Sequence, residues 1–286
     1  MAVVRPRRAN DRRVPRNAQL TRRQLDSDGY TVLEGILDED VLATITAELE
    51  PHFGAEGWGR NDFEGLRTER TYALLVKCPS VATLVEHPAI LELLDDHLRP
   101  SRLLATCQAT RIHPGETAQL LHCDDDLAGV ARPRPPWSVS VMWALSPYRP
   151  ENGSTLIVPG SHRWETKRQP TEGEAISLDL QPGSALVWLG GIYHGAGANR
   201  SDETRTGVSI IYFQPWLRQV ENMVLAVGPD EAANFSTTIQ RLLGYGVVDG
   251  TFFGHVDGRD PIKLIPTRDS DEAPGPTAST SGAITD

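Results

Sequence analysis

Leu121-His122-Cys123-Asp124-Asp125 is the stretch on which the reading of this chain turns. It sets an imidazole and a carboxylate two positions apart. On a β-strand that spacing is one side-chain period, so His122 and Asp124 are expected on the same face. A second histidine stands far downstream in Gly190-Gly191-Ile192-Tyr193-His194-Gly195, just after another strand-like run. Two imidazoles and one carboxylate on one face of a metal leave the opposite positions open. That set suits non-haem Fe(II), which needs those positions for a co-substrate and dioxygen. A His-x-Asp pair alone arises often by chance, so the surrounding sequence has to support it.

Around the pair the chain breaks into short apolar runs punctuated by Gly and Pro. Strands are expected near 103–112, 118–124, 138–146, 154–158, 175–180, 184–189 and 205–214, a pattern of a sandwich or barrel. Upstream, Gly29-Tyr30-Thr31-Val32-Leu33 reads as a further strand. Asp38 then caps a helix with Val41, Leu42, Ile45 and Leu49 at helical spacing, ended by Pro51. Gly54 to Thr71 reads as a long loop of the kind that forms lids. Ser80 to Leu98 reads as a second helical region, with Pro88 in the first turn of its second half. Asp230 to Tyr245 reads as a late helix. The expected fold is mainly β with flanking helices.

Composition narrows the function classes. The formal charge of −10 argues against a nucleic-acid partner, and no run of 18 apolar residues offers a membrane span. The three cysteines, Cys78, Cys107 and Cys123, are too few and too odd in number for a disulfide framework, so a cytoplasmic location is expected. The first 23 residues carry eight arginines and one acid, Asp11, and read as a disordered basic arm. The tail 267–286 lacks large apolar residues and is expected to be disordered too. Between them, 24–266 reads as one domain with its β core at about 103–216.

An oxygenase that uses 2-oxoglutarate also needs a cation for the distal carboxylate of that co-substrate. Arginine suits the task, because its planar fork matches a carboxylate. Arg205 opens the strand after His194, and a turn through Asn199-Arg200-Ser201-Asp202 brings that strand back beside the histidine. Arg200 is the competitor, placed in the turn where solvent exposure is expected.

Taken in order, these stretches resemble the phytanoyl-CoA dioxygenase family of Fe(II)/2-oxoglutarate oxygenases. Asp28-Gly29-Tyr30 begins the first strand, and the His122/Asp124 stretch is similar to the family's proximal ligand motif. Pro150-Glu151-Asn152-Gly153-Ser154-Thr155, followed by Val158-Pro159-Gly160-Ser161-His162, resembles its mid-barrel hairpin. His194 with Arg205 eleven positions on matches its distal ligand and its 2-oxoglutarate arginine. The likeness runs from about Asp28 to about Pro261. It implies a double-stranded β-helix (jelly-roll) core and a metal held by His122, Asp124 and His194. It also implies oxidative decarboxylation of 2-oxoglutarate to succinate and CO2, coupled by O2 to attack on an unactivated C–H bond. Related halogenases replace the carboxylate ligand with a small residue. Asp124 therefore points to hydroxylation, desaturation or ring chemistry on a small or medium-sized organic substrate, with specialised metabolism as one setting.

Other readings stand beside these. Asp125 is expected on the opposite face of its strand, and Asp126 competes with Asp124 for the metal. Cys123 is expected to pack away from the ligands, and His162 to serve a structural turn. Trp143 either borders the co-substrate pocket or fills the core, and Gln108 and Thr155 are candidate 2-oxoglutarate contacts. The segment Asp126 to Trp137 is either part of the substrate rim or a rigid connector. The Asn152-Gly153 pair fits a tight hairpin turn, since both residues tolerate positive φ. A catalytically silent relative that binds metal or ligand is the alternative function. A cupin-type isomerase would call for three histidines and a glutamate, a pattern absent here. The protein is expected as a monomer or homodimer.

Overall fold

Short runs of β-branched and aromatic residues form most of the strands expected of them. The computed structural model describes residues 16–54, 57–171 and 173–267. Its strands are β1 (Tyr30–Leu33), β2 (Thr68–Thr71), β3 (Leu103–Ile112), β4 (Ser138–Ala144), β5 (Thr155–Ile157), β6 (Ile176–Ser177), β7 (Ala185–Leu189), β8 (His194–Ala196) and β9 (Arg205–Phe213). All pair antiparallel, in a six-stranded sheet of order β1-β7-β4-β9-β3-β2 and a three-stranded sheet of order β6-β5-β8. Ile157 of the small sheet packs with Leu186 and Trp188 of the large one, so the two face each other across a shared core. The protein is a jelly-roll with flanking helices.

The helices are α1 (Arg16–Asp28), α2 (Glu39–Leu49), α3 (Leu74–Lys77), α4 (Ala82–Val85), α5 (Pro88–His97), α6 (Met223–Ala226), α7 (Pro229–Ala232) and α8 (Thr237–Leu243). They cover the outer face of the large sheet. Ile45, Leu84, Ile90 and Leu94 meet Val139, Val141, Trp143, Ile210 and Tyr212 in one apolar core. Each strand of that sheet therefore sends alternate residues to the helices and to the space between the sheets.

Local chemistry explains where the expected elements shift. Helix α1 starts at Arg16, inside the segment expected as an arm to residue 23. Leu25 is fully buried, and Arg22 pairs with Glu92 and Asp96 of α5 at 3.0 and 2.8 Å, which anchors this end. Residues 1–15 of the expected arm, and 268–286 of the expected tail, lie outside the described residues. Asp38 sits at the N-cap of α2 in extended conformation, but its side chain makes no capping bond. The second helical region divides into α4 and α5, because the residue before a proline avoids the helical region and His87 is accordingly extended (ψ 126°) ahead of Pro88. The late helix divides likewise into α7 and α8: Ser236 caps a new start by accepting from the Ile239 N–H at 3.2 Å.

One β expectation is corrected and one is sharpened. The segment 118–124 is not a strand. Only Gln119 and His122 find main-chain partners on the three-residue β8, and Asp124 already opens a 3-10 turn, Asp124–Ala128. The Asn152-Gly153 turn has positive φ at Gly153 alone (84°). Asn152 is buried and uses its side chain instead, accepting from Arg149 N and donating to the Pro147 carbonyl, both at 2.8 Å.

Candidate metal centre

His122 and His194 come together because their backbones exchange both main-chain hydrogen bonds of a bridge, each at 2.9 Å. Their rings lie 4.4 Å apart between centroids. Each ring is aimed from behind. His122 Nδ1 donates to the Leu120 carbonyl at 3.0 Å and His194 Nδ1 to the Ile192 carbonyl at 3.2 Å. A proton held on Nδ1 leaves the Nε2 lone pair free, which is how metal-binding histidines are usually fixed. Burial, reinforced by the neighbouring His194, pulls the His122 imidazole below its ordinary pKa and so favours the neutral, ligating form.

Asp124 completes the group despite the absence of a strand. Cys123 is still extended (φ −117°, ψ 128°), so its neighbours on either side project the same way. Asp124 Oδ1 lies 3.8 Å from His122 Nε2 and 3.7 Å from His194 Nε2. One ligand atom from each of the three residues falls within 4.8 Å of the others. Its second oxygen, Oδ2, accepts from the Ser140 hydroxyl at 2.7 Å. Cys123 points away to pack with Val158 and Tyr193, and burial pushes its thiol up to about 12, too high to offer a thiolate.

The two following acids are turned elsewhere. Asp125 is buried, accepting from Trp137 N at 2.9 Å and from the Ser138 hydroxyl at 2.7 Å. Asp126, the competitor for the metal, is taken by Arg132 through contacts of 2.9 and 3.2 Å. Arg132 also donates to the Gly191 carbonyl at 3.0 Å, so the pair braces the loop that carries His194. The segment Asp126 to Trp137 thus forms a connector behind the site. Among its described side chains none lines the main cleft, which corrects the substrate-rim expectation. His162 contacts the Asp26 carbonyl at 3.3 Å and is not one of the three grouped donors.

The three donors open onto a cleft of about 600 Å³ on the inner face of the large sheet. Arg205, Gln108 and Thr155 all line it. Arg205 is 2% exposed, with its guanidinium carbon 4.3 Å over the ring of Tyr148. Among the described residues it has no carboxylate partner, and its Nε is buried without a hydrogen bond. An uncompensated buried charge is costly, so a guanidinium held this way is a site for an anionic group. Arg200 is exposed in its turn.

Trp143 is corrected. Its side chain is fully buried on the helical face of β4, edge-on to His87 at 5.4 Å, while its neighbour Met142 lines the cleft. One residue of strand parity separates the two outcomes. Arg70 of β2 is the residue that sequence reading missed. It lines the cleft, donates from Nε to the Glu64 carbonyl at 2.8 Å and reaches Gln108 Oε1 at 3.4 Å. Burial, and more weakly the charge of Arg205, lower its pKa. With Gly54 to Thr71 read wholly as loop, no strand face was available to aim it. Arg60, Asp62, Phe63, Glu64 and Gly65 of that loop wall the cleft. Phe63 sets its ring 4.8 Å from that of His122, and its carbonyl accepts from Gln119 Nε2 at 2.9 Å.

Comparison with known proteins agrees with this geometry. Residues 25–207 match the family model described as phytanoyl-CoA dioxygenase (PhyH). The dioxygenase swnH1 of Arthroderma benhamiae is 30% identical, covering 88% of this chain and 91% of its own length. The dioxygenase swnH1 of Metarhizium robertsii is 31% identical over 84% of this chain and 86% of its own. Among solved structures, HygX from Streptomyces hygroscopicus with nickel and 2-oxoglutarate bound superposes with a TM-score of 0.58 at 17% identity, covering 72% of this chain and 89% of HygX. The epimerase SnoN in complex with Fe3+, alpha ketoglutarate and nogalamycin RO gives 0.57 at 21% identity, with coverage of 70% and 85%. These two share the fold. The chain belongs to the phytanoyl-CoA dioxygenase family.

Proposed function

We propose that this member of the phytanoyl-CoA dioxygenase family is an Fe(II)/2-oxoglutarate-dependent oxygenase acting on a small organic molecule. His122 Nε2, Asp124 Oδ1 and His194 Nε2 are the metal ligands in this reading. The observation that carries it is the convergence of those three atoms within 4.8 Å, with both imidazoles tied back through Nδ1. The donor set fits a metal with open positions. Bound there, iron and 2-oxoglutarate supply the activation of O2 and the oxidising power, with succinate and CO2 as by-products.

The protein's part is placement and exclusion of water. Arg205 receives the distal carboxylate of 2-oxoglutarate, and its stacking on Tyr148 holds the guanidinium plane in one orientation. Arg70 adds a second positive charge, with Gln108 lodged against it and Thr155 opposite on the small sheet. Phe63 and Trp188 flank the two imidazoles at 4.8 Å each and keep the metal face dry. Because a carboxylate occupies position 124, the site is assigned to hydroxylation, desaturation or ring chemistry.

SnoN, from nogalamycin biosynthesis, is known in complex with nogalamycin RO, and HygX with hygromycin B bound. They support a specialised metabolite as the substrate. The three cysteines are free and buried, which supports a reducing compartment such as the cytoplasm. No helix among the described residues is long and apolar enough to cross a membrane.

The test is succinate release from 2-oxoglutarate on addition of Fe(II). Wild type releases it, and a folded His122→Ala variant does not. A wild type that binds metal yet forms no Fe(II)-dependent succinate would instead be the silent binding protein.

A further inference from the structure

We infer that Ser140 is a positioning residue that holds Asp124 as a one-oxygen ligand and thereby keeps a coordination position open at the metal. The inference rests on the metal reading above. Ser140 lies on β4 and is fully buried, with its side chain on the inner face of the sheet. In register it stands between Trp188 of β7 and Ile211 of β9, in the row of side chains beneath the ligand group. Its hydroxyl donates to Asp124 Oδ2 at 2.7 Å. The other oxygen, Oδ1, is the one that faces both imidazole nitrogens, at 3.8 and 3.7 Å. The two oxygens of one carboxylate thus have separate partners.

That division has a chemical consequence. A carboxylate binds a metal through one oxygen or through both. In an octahedral arrangement, two imidazoles and a one-oxygen carboxylate leave room for a chelating 2-oxo acid and one further small molecule. A two-oxygen carboxylate occupies that last position. A hydroxyl on Oδ2 draws it away from the metal and directs Oδ1 inward. β4 grips both carboxylates of the pair in this way. Ser138, two residues earlier on the same face, donates to Asp125 Oδ1 at 2.7 Å and fixes the turn that carries Asp124. Ser138 therefore sets where the turn lies, and Ser140 sets which oxygen of Asp124 is presented.

Ser140→Thr and Ser140→Val make the test, because they add the same bulk to the same strand and differ only in the hydroxyl. Each is titrated with Mn(II), and water coordination is read from solvent proton relaxation. Water coordination is then read again with 2-oxoglutarate bound to the Mn(II) complex, without oxygen. Ser140→Val is expected to carry one coordinated water fewer than wild type, both alone and with 2-oxoglutarate bound. Ser140→Thr is expected to match wild type in both. Equal water coordination in the Val and Thr variants, with and without 2-oxoglutarate and with wild type binding Mn(II) normally, would overturn the role of Ser140 and leave the metal reading intact. A wild type that binds no Mn(II) would remove the metal reading and this inference with it.

Discussion

The two faces of strand β4 obey different rules. Val139, Val141 and Trp143 face the helices and are fully buried in apolar surroundings. Ser138, Ser140 and Met142 face inward, where the serines hold Asp125 and Asp124 and the methionine lines the cleft. The outer face contributes through burial, so any well-fitting apolar residue serves. The inner face contributes through particular atoms, and the neighbouring strand β9 adds one with no partner of its own, Arg205 Nε. Alternate residues of one strand thus carry stability and chemistry separately, and substitutions on the two faces should fail in different ways.

The largest effect is expected at the proposed metal ligands. His194→Ala should abolish Fe(II)-dependent succinate formation while circular dichroism still shows the folded protein; retained activity would break the contrast between the faces at its centre. Next comes Arg205→Ala, which removes a charge-assisted hydrogen bond of about 1.5–3 kcal/mol and should raise the KM for 2-oxoglutarate about ten- to a hundredfold. Arg200→Ala should leave it unchanged, and equal effects would sink the assignment of Arg205. On the helical face, Trp143→Ala should lower stability by about 3–5 kcal/mol in a denaturant titration. The fraction that remains folded should keep its KM for 2-oxoglutarate, and a rise matching that of Arg205→Ala would return Trp143 to the cleft.

The smallest effect concerns the wall around Phe63. Arg60 and Glu64 pair there at 2.6 Å, and Arg60 N donates to Glu64 Oε2 at 2.8 Å. The hydrogen bonds from Arg60 lower the Glu64 pKa to about 2. A carboxylate lowered in the folded state stabilises above its unfolded pKa and loses that contribution as pH falls towards its folded value. The pair should therefore persist from neutral pH through 4 and weaken only as pH approaches about 2. At neutral pH, Glu64→Gln should speed hydrogen exchange at the Arg60 amide without a measurable change in global stability, because exposed ion pairs contribute little. No change in that exchange rate would show that the wall does not depend on the pair.

The same comparison shows what could be read in advance. His122, Asp124, His194 and Arg205 stand in motifs whose order and spacing are themselves informative, and the structure brings all four to one cleft together with Gln108 and Thr155. For Trp143 the sequence leaves both faces open, because a large aromatic residue suits either side of a strand, and only the register with β7 and β9 decides between them. Arg70 escaped notice because four residues of β2, at the end of a long loop, are too few to show a period. The competition between Asp124 and Asp126 was likewise settled outside their own segment, by Arg132 drawing Asp126 to the back of the site.

By itself the sequence determined the class of fold, the family and the candidate metal-binding residues, since these depend on residue types and spacings along the chain. The tertiary structure decided which oxygen of Asp124 faces the imidazoles, which arginines share the cleft and which face each strand residue takes. Those outcomes depend on hydrogen bonds and packing between segments far apart in sequence: Ser140 against Asp124, Arg70 beside Gln108, Trp143 against His87. Pairings of that kind are settled only when the sheet closes and each polar group competes for the partners within reach.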